Sequence, residues 1–275
     1  MTADEIIDCH AHVIDPGRFA YADGPGYRPQ PHETGTREAF NTVLDAHGVK
    51  HVLLVQPSCY GTDNSAMLDA VAREPGRFKA IAVVAPDITD KALAALAARG
   101  VVGVRFNLVS YDGDALTKAA TAGLLDRLKA ADMFAQIYAH DQQWPALEPV
   151  LRQHGVKVLI DHFGVRDISA GVAAAGFQAV LELGRRGNAA VKLSAPFRLA
   201  ASASGYRELD AFAEGLLSAF GIGRCVWGSD WPFLAVSDRI DYAELPATIM
   251  RWLPDPADRK RVLWANPVRL FGFGA

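Results

Sequence analysis

The stretch Ile6-Ile7-Asp8-Cys9-His10-Ala11-His12-Val13 is a short apolar run that ends in two histidines two residues apart. Side chains alternate between the faces of a β-strand, so His10 and His12 share a face, with Asp8 behind them. Two imidazoles at one strand end can hold one metal ion or polarise one substrate. His-X-His pairs also arise by chance, so the weight of this one depends on the rest of the chain. Towards the other end, Val226-Trp227-Gly228-Ser229-Asp230-Trp231-Pro232 offers a carboxylate where another apolar run stops.

Eight short runs rich in β-branched residues span 5–13, 50–57, 78–85, 101–108, 133–140, 156–162, 189–195 and 224–230. Most are separated by segments with helical spacing. Helices are expected over 36–47 with Gly48 as the stop, 65–73 capped by Asp63-Asn64, and 90–99 capped by Thr89. Others are expected over 114–131, over 142–154 behind Asp141, and over 176–186, 206–220, 241–252 and 256–264. Strands alternating with helices imply parallel pairing through right-handed crossovers. Eight such units in 275 residues match a single (β/α)8 TIM-like barrel, one domain over residues 1–275, with chemistry at the C-terminal strand ends. The alternative, a doubly wound open sheet, lacks its Gly-X-Gly-X-X-Gly turn. Loop 14–35, with four prolines and four glycines, follows the first strand, where a barrel would place an active-site cover.

Half of the residues are hydrophobic, 21% are charged and the net charge is −3, so a sizeable core is expected. No basic run exceeds Lys260-Arg261, which argues against nucleic acid or an anionic membrane as partner. Cys9, Cys59 and Cys225 have no paired spacing, which suggests a reducing cytosol. The acidic N-terminus leaves no room for a signal peptide before the first candidate residue, and no apolar run approaches a membrane span. A cytoplasmic protein, monomeric or a small homo-oligomer, is the expectation.

Polar residues cluster where the runs end. They are His10 and His12; Gln56-Pro57-Ser58 leading to Cys59 and Tyr60; Arg105 and Asn107; Gln136, Tyr138 and His140; Asp161 and His162; Lys192, Ser194 and Arg198; and Ser229 and Asp230. Each has an ordinary reading as well. Arg105 can be a rim salt bridge, His162 a core histidine, Tyr138 barrel filling and Asp161 a structural carboxylate whose parity opposes His162. Lys192 lies before its strand's end and does not read as clearly in the pore. His47, His51 and His154 fall away from this rim, and packing is the commoner explanation for Cys59. The histidines His10, His12 and His162 with Asp230 form a set suited to one zinc-like ion, or none, and an activated water. Asp230 would be the general base, and His162 or a metal would polarise the carbonyl. Arg105 and Arg198 point to an anionic substrate, since a guanidinium grips a carboxylate with two parallel bonds. Ser58, Tyr27, Tyr60 and Tyr138 would add hydroxyl donors.

These residues resemble the amidohydrolase superfamily, and within it the branch of lactonases acting on 2-pyrone-4,6-dicarboxylate and related products of aromatic-acid breakdown. The resemblance runs through Asp8–His12, the Gln56-Pro57-Ser58 to Asn64 block that is specific to this branch, Gly103–Asn107, Ile160–His162, Val191–Ser194 with Arg198, Val226–Pro232 and Asn266–Gly272. It implies a distorted barrel that hydrolyses a carboxylated lactone, with Asp230 as base and the three histidines polarising the carbonyl. Substrate contacts would come from Arg105, Arg198, Tyr138, Ser58 and Tyr27. The branch includes metal-free and zinc-bound members, so metal status does not carry over. One departure bears on the substrate. The branch places an arginine three residues after the strand-six histidine, whereas here Val165 stands there and Arg166 follows; loop 109–114 differs too. The rival enzymatic reading is a metal-dependent decarboxylase of a small aromatic or unsaturated acid. The non-enzymatic one is a small-molecule-binding barrel.

Overall fold

The computed structural model describes residues 5–23, 27–110, 113–201, 204–236 and 240–274. Eight strands follow one another around one parallel sheet: β1 (Ile6–Ala11), β2 (Val49–Val55), β3 (Phe78–Ala82), β4 (Val101–Asn107), β5 (Phe134–Tyr138), β6 (Lys157–Ile160), β7 (Ala189–Ser194) and β8 (Cys225–Gly228). All eight expected runs are strands, and the architecture is a nearly closed (β/α)8 barrel. Closure falls between β1 and β8, where Asp230 N–H donates to His10 O (2.7 Å) and His12 N–H donates to Trp231 O (2.8 Å). The seam therefore runs through the residues singled out in the sequence.

Gly228 makes that seam possible. A Cβ there would stand 2.7 Å from both the backbone nitrogen and the Cβ of His10, so any side chain pushes β1 and β8 apart. Overpacking of this kind costs about 1–3 kcal/mol. At about 2–4 °C per kcal/mol for a chain of this size, Gly228→Ala is expected to lower Tm by roughly 2–12 °C in a thermal melt. An unchanged Tm would mean that the seam relaxes freely.

The helices are α1 (Arg37–Ala46), α2 (Ser65–Arg73), α3 (Asp90–Ala98), α4 (Ala115–Thr121), α5 (Leu124–Ala130), α6 (Trp144–His154), α7 (Ala175–Arg186), α8 (Asp210–Phe220), α9 (Glu244–Trp252), α10 (Pro256–Lys260) and α11 (Asn266–Phe271). Their apolar faces bury the outer barrel surface in one large core that includes Phe40, Leu44, Val104, Leu128, Ile160 and Leu216. A smaller cluster joins Ile7, Leu53, Val55, Ile81, Phe134, Leu159, Ala190 and Val226 of seven strands to Phe271 and Phe273 of the C-terminal segment.

Several sequence expectations are corrected. The helix expected over 114–131 is two helices, because Gly123 takes φ 73° between them. Asp141 does not cap α6; its carboxylate accepts from the Arg166 and Asp167 N–H groups. The helix expected over 206–220 starts regular α-helix only at Asp210, after a 3-10 turn over Arg207–Leu209. The helix expected to end near Trp264 instead passes through a π turn, Arg261–Ala265, into α11. Thr36 and Thr89 do cap α1 and α3, accepting from Ala39 and Ala92 N–H.

Loop 14–35 is pinned at its neck by paired backbone bonds between Ile14 and Gly35 (2.8 and 2.9 Å). Within it Glu33 accepts from the Tyr27 hydroxyl (2.6 Å) and from Ala235 N–H after β8 (2.6 Å). The first loop is thus tied to the last one, over the barrel mouth. Among the described residues no helix is long and apolar enough to cross a membrane.

Candidate active site

Strand alternation alone does not place the site residues. Asp8 and His10 would share a face in an unbroken strand, but the pairing register with β2 shifts between Asp8 and Ala11. Asp8 consequently ties β1 to β8, accepting from Ser229 N–H (2.9 Å), the Ser229 hydroxyl (2.5 Å) and the Tyr242 hydroxyl (3.0 Å). His10 turns to the other site residues. β6 ends at Ile160, and His162 and Phe163 take φ 45° and 60°. Leaving the extended conformation cancels the parity that opposed Asp161 to His162, and both face inward. Asp230, at φ 65°, sits in a comparable turn after β8.

Three imidazoles converge on one carboxylate oxygen. Asp230 Oδ1 lies 3.3 Å from His12 Nε2, 3.6 Å from His10 Nε2 and 3.9 Å from His162 Nε2. The other ring nitrogens are engaged below. His12 Nδ1 meets Val55 O at 2.7 Å, and His162 Nδ1 meets Ser194 Oγ at 2.9 Å. Arg198 Nε donates to Asp230 Oδ2 at 2.5 Å, which orients the carboxylate and leaves Oδ1 to the rings.

Beneath this layer is a buried network that the sequence reading undervalued. Lys192, fully buried, donates to Gln136 Oε1 (2.9 Å) and reaches His10 Nδ1 (3.1 Å) and Asp161 Oδ1 (3.1 Å). Asp161 Oδ2 accepts from Gln136 Nε2 (3.0 Å) and from Arg105 Nε and Nη2 (3.3 Å each). Lys192 is therefore inside the barrel, and Asp161 is the counter-ion shared by Lys192 and Arg105. The signal was present: Gln136, Lys192 and Asp161 sit on neighbouring strands, but only register shows that they meet.

Above lies a cavity of about 320 Å³ lined by His12, Tyr27, Ser58, Arg105, Asn107, Tyr138, His162, Arg166, Arg198 and Asp230, among others. Of the ten residues named from the sequence, His10 lies just below this lining and Tyr60 lies outside it. The Tyr60 ring packs with Ile14, Cys59 and Ala66, and its hydroxyl accepts from Asp15 N–H (2.9 Å). Cys59 is buried there too, its thiol pushed up to about 12 by burial, so it is no nucleophile. Arg166 was not named as a site residue from the sequence. It lines the cavity, donates to the Tyr138 hydroxyl and stacks over that ring at 5.1 Å. His140 instead opens the turn before α6, its N–H donating to Gln143.

Burial dominates the electrostatics. It lowers His162 to about 4, and with the Lys192 charge it lowers His10 well below the usual imidazole range. Burial opposes charge on Asp161, but Lys192, His10 and Arg105 outweigh it and hold the carboxyl well below its usual range. Arg198 and the imidazoles do the same for Asp230. Burial raises Asp8 to about 6, only partly offset by its hydrogen bonds from Ser229, His10 and Tyr242. The unfolded chain binds protons to His10 and His162 below pH 6.5 that the folded chain refuses, so their contribution to stability is lost as pH falls below 6.5, for His162 down through about 4. For His162 that is about 3 kcal/mol. Asp8 acts in the opposite sense between pH 6 and 3.8, offsetting one imidazole but not two. Melts of the chelated protein should therefore show Tm falling from pH 6.5 to 4, and falling less in His162→Gln. A flat or rising Tm would contradict these shifts.

Among the described residues, two groups have ligating atoms close enough for a metal ion: His10, His12 and Asp230, and His10, Asp161 and His162. Both need His10. Its Nδ1 faces the Lys192 ammonium, Asp161 is already neutralised by Lys192 and Arg105, and Asp230 by Arg198. The spacing suits an ion, but the donor set in this arrangement does not.

An eight-stranded parallel barrel with imidazoles and a carboxylate at the C-terminal strand ends is the architecture of a barrel enzyme. The chain belongs to the amidohydrolase family, whose model matches residues 7–273. It is 30% identical over 273 residues to a 4-sulfomuconolactone hydrolase of Hydrogenophaga intermedia (96% of this chain, 88% of that one). It is 29% identical over 276 residues to a 2-pyrone-4,6-dicarboxylate hydrolase of Comamonas testosteroni (96% and 89%). A crystal structure described as a "probable" 2-pyrone-4,6-dicarboxylic acid hydrolase from Acinetobacter baumannii, with citric acid bound, superposes with TM-score 0.87 at 30% identity (98% and 100% covered). A zinc-bound amidohydrolase from Burkholderia multivorans (20% identity, TM-score 0.76) and a 2,6-dihydroxybenzoate decarboxylase (15%, 0.68) share the fold. The decarboxylase reading rests on that likeness of fold alone.

Proposed function

We propose that this protein hydrolyses the ester bond of a small carboxylated lactone, opening its ring. The observation that carries the reading is one carboxylate oxygen, Asp230 Oδ1, facing three imidazoles in a cavity that is also lined by three guanidinium groups. Two of its relatives are named as hydrolases of 4-sulfomuconolactone and of 2-pyrone-4,6-dicarboxylate, which supports the same class.

The residues divide the work by their chemistry. Arg105, Arg166 and Arg198, with Tyr138, Ser58 and Tyr27, hold the substrate's carboxylates. Asp230, ionised because Arg198 and the imidazoles outweigh its burial, takes a proton from water as the oxygen attacks the ring carbonyl carbon. Imidazole N–H groups beside Asp230 steady the oxygen anion that develops on the tetrahedral carbon. The bond from that carbon to the ring oxygen then breaks, and the proton on Asp230 goes to the departing oxygen. Tyr27 and Glu33 join the two loops over the mouth and limit water entry. No metal is assigned a step. The three cysteines are free and buried, which supports a reducing, cytoplasmic setting.

The test is hydrolysis of a panel of lactones bearing none, one or two carboxylates, 2-pyrone-4,6-dicarboxylate included, before and after chelation. Turnover should rise with carboxylate number and survive chelation. Absence of turnover on every carboxylated lactone would sink the reading.

A further inference from the structure

We infer that Lys192 is a positioning residue that fixes which nitrogen of His10 carries the proton, so that His10 presents an N–H donor rather than a lone pair to the site. The inference starts from a residue whose side chain can only accept in one place. Asp161 Oδ2, a carboxylate oxygen, accepts from Gln136 Nε2 at 3.0 Å. That sets the amide orientation and turns Gln136 Oε1 to Lys192 Nζ at 2.9 Å. The lysine is thereby fixed as a donor in a fully buried place.

The same nitrogen reaches His10 Nδ1 at 3.1 Å. An N–H on Nδ1 would set two donors face to face, so Nδ1 carries the lone pair and Nε2 the proton. Asp161 Oδ1 lies 3.2 Å from Nδ1 but makes no hydrogen bond of acceptable angle. It lies 3.1 Å from Lys192 Nζ, which it neutralises, and it is the acceptor the ring would turn to if that ammonium were removed. Among the described residues, the buried His10 Nε2 has no hydrogen-bond partner. As a donor 3.6 Å from Asp230 Oδ1, it has a use: an oxygen between the rings, of water or of the substrate carbonyl, can accept its proton. The neighbouring His12 differs in what its distal nitrogen meets: Val55 O, which can only accept, stands 2.7 Å from its Nδ1.

This accounts for the mismatch with a metal centre. Both groups of potential ligands include His10, and a ring with Lys192 on one nitrogen and a proton on the other offers none. Histidine tautomers at functional sites are commonly set by what the distal nitrogen meets. An ammonium in that place sets the opposite tautomer from the carboxylate or carbonyl that accompanies a metal-bound ring.

The deciding experiment is long-range proton–nitrogen correlation NMR on the full, chelated protein with ¹⁵N-labelled histidine, His10 being assigned by its loss in His10→Gln. A protonated, pyrrole-type Nε2 and a pyridine-type Nδ1 are expected. The reverse pattern overturns the inference, and no folded variant of Lys192 is needed to read it. In Lys192→Met the pattern should invert, as Asp161 becomes the only charged neighbour of Nδ1. Turnover should fall about 10- to 100-fold with KM little changed. An uninverted pattern, or turnover equal to wild type, also overturns it. The mechanistic consequence rests on the lactonase reading. The NMR patterns do not involve a lactone, so failure of the substrate class and failure of the tautomer assignment are separable.

Discussion

The Asp230→Asn protein is expected to lose about 10²- to 10⁴-fold in kcat, the range associated with removing a general base. An amide of the same shape keeps the position after β8 but cannot take a proton from water. Anion binding should move the other way. Arg198 Nε now donates to Asp230 Oδ2 at 2.5 Å, and without that charge Arg198 is left uncompensated at a cavity wall that Arg105 and Arg166 also line. A non-reacting tricarboxylate such as citrate should therefore bind as well or more tightly, measured by calorimetry beside the kinetics. Turnover within a few-fold of wild type would remove Asp230 from the base role. Loss of both turnover and binding would mean that the substitution had disturbed the seam instead.

Asp161→Ala is expected to cost about 3–5 kcal/mol of stability, the usual penalty for stranding a buried charge. Asp161 is 2% exposed and is the carboxylate that Lys192 and Arg105 share, at 3.1 and 3.3 Å. Removing it leaves two cations in the barrel interior beside His10. At about 2–4 °C per kcal/mol, Tm should fall by roughly 6–20 °C. Adding Lys192→Met should recover part of that loss, because replacing a buried pair by apolar groups is often close to neutral. Strict additivity of the two changes, or a single-variant loss under about 1 kcal/mol, would show that the two residues are not coupled.

The relation of Lys192 to His10 shows where reading a sequence stops being sufficient. The barrel itself was legible because it is a local property repeated eight times: apolar runs of strand length, turns of helix between them, and glycines such as Gly48 and Gly155 where helices end. The rim was legible because parallel strands all end on one side, so whatever polar residue closes a run must face that side. Hence His10, His12, His162, Arg105, Arg198 and Asp230 could be named as a group before any contact was known.

Three things required the tertiary structure. The parity argument failed where backbone left the extended conformation, at the β1 register shift and at the positive φ of His162 and Phe163. That error separated Asp161 from the site. Tyr60 reads as a hydroxyl donor to the site, but a buried aromatic ring goes where the core has room, and its hydroxyl accepts from Asp15 N–H. Arg166 reaches Tyr138 across the turn after β6, a contact that only the path of that turn reveals.

The amino-acid sequence by itself determined the parallel barrel and the kind of chemistry its rim can perform, since both follow from periodicity and residue type. Only the tertiary structure decided which charges meet inside it. The pairing of Lys192 with Asp161, and the approach of both to His10, depend on the stagger between strands distant in sequence, which no local pattern encodes.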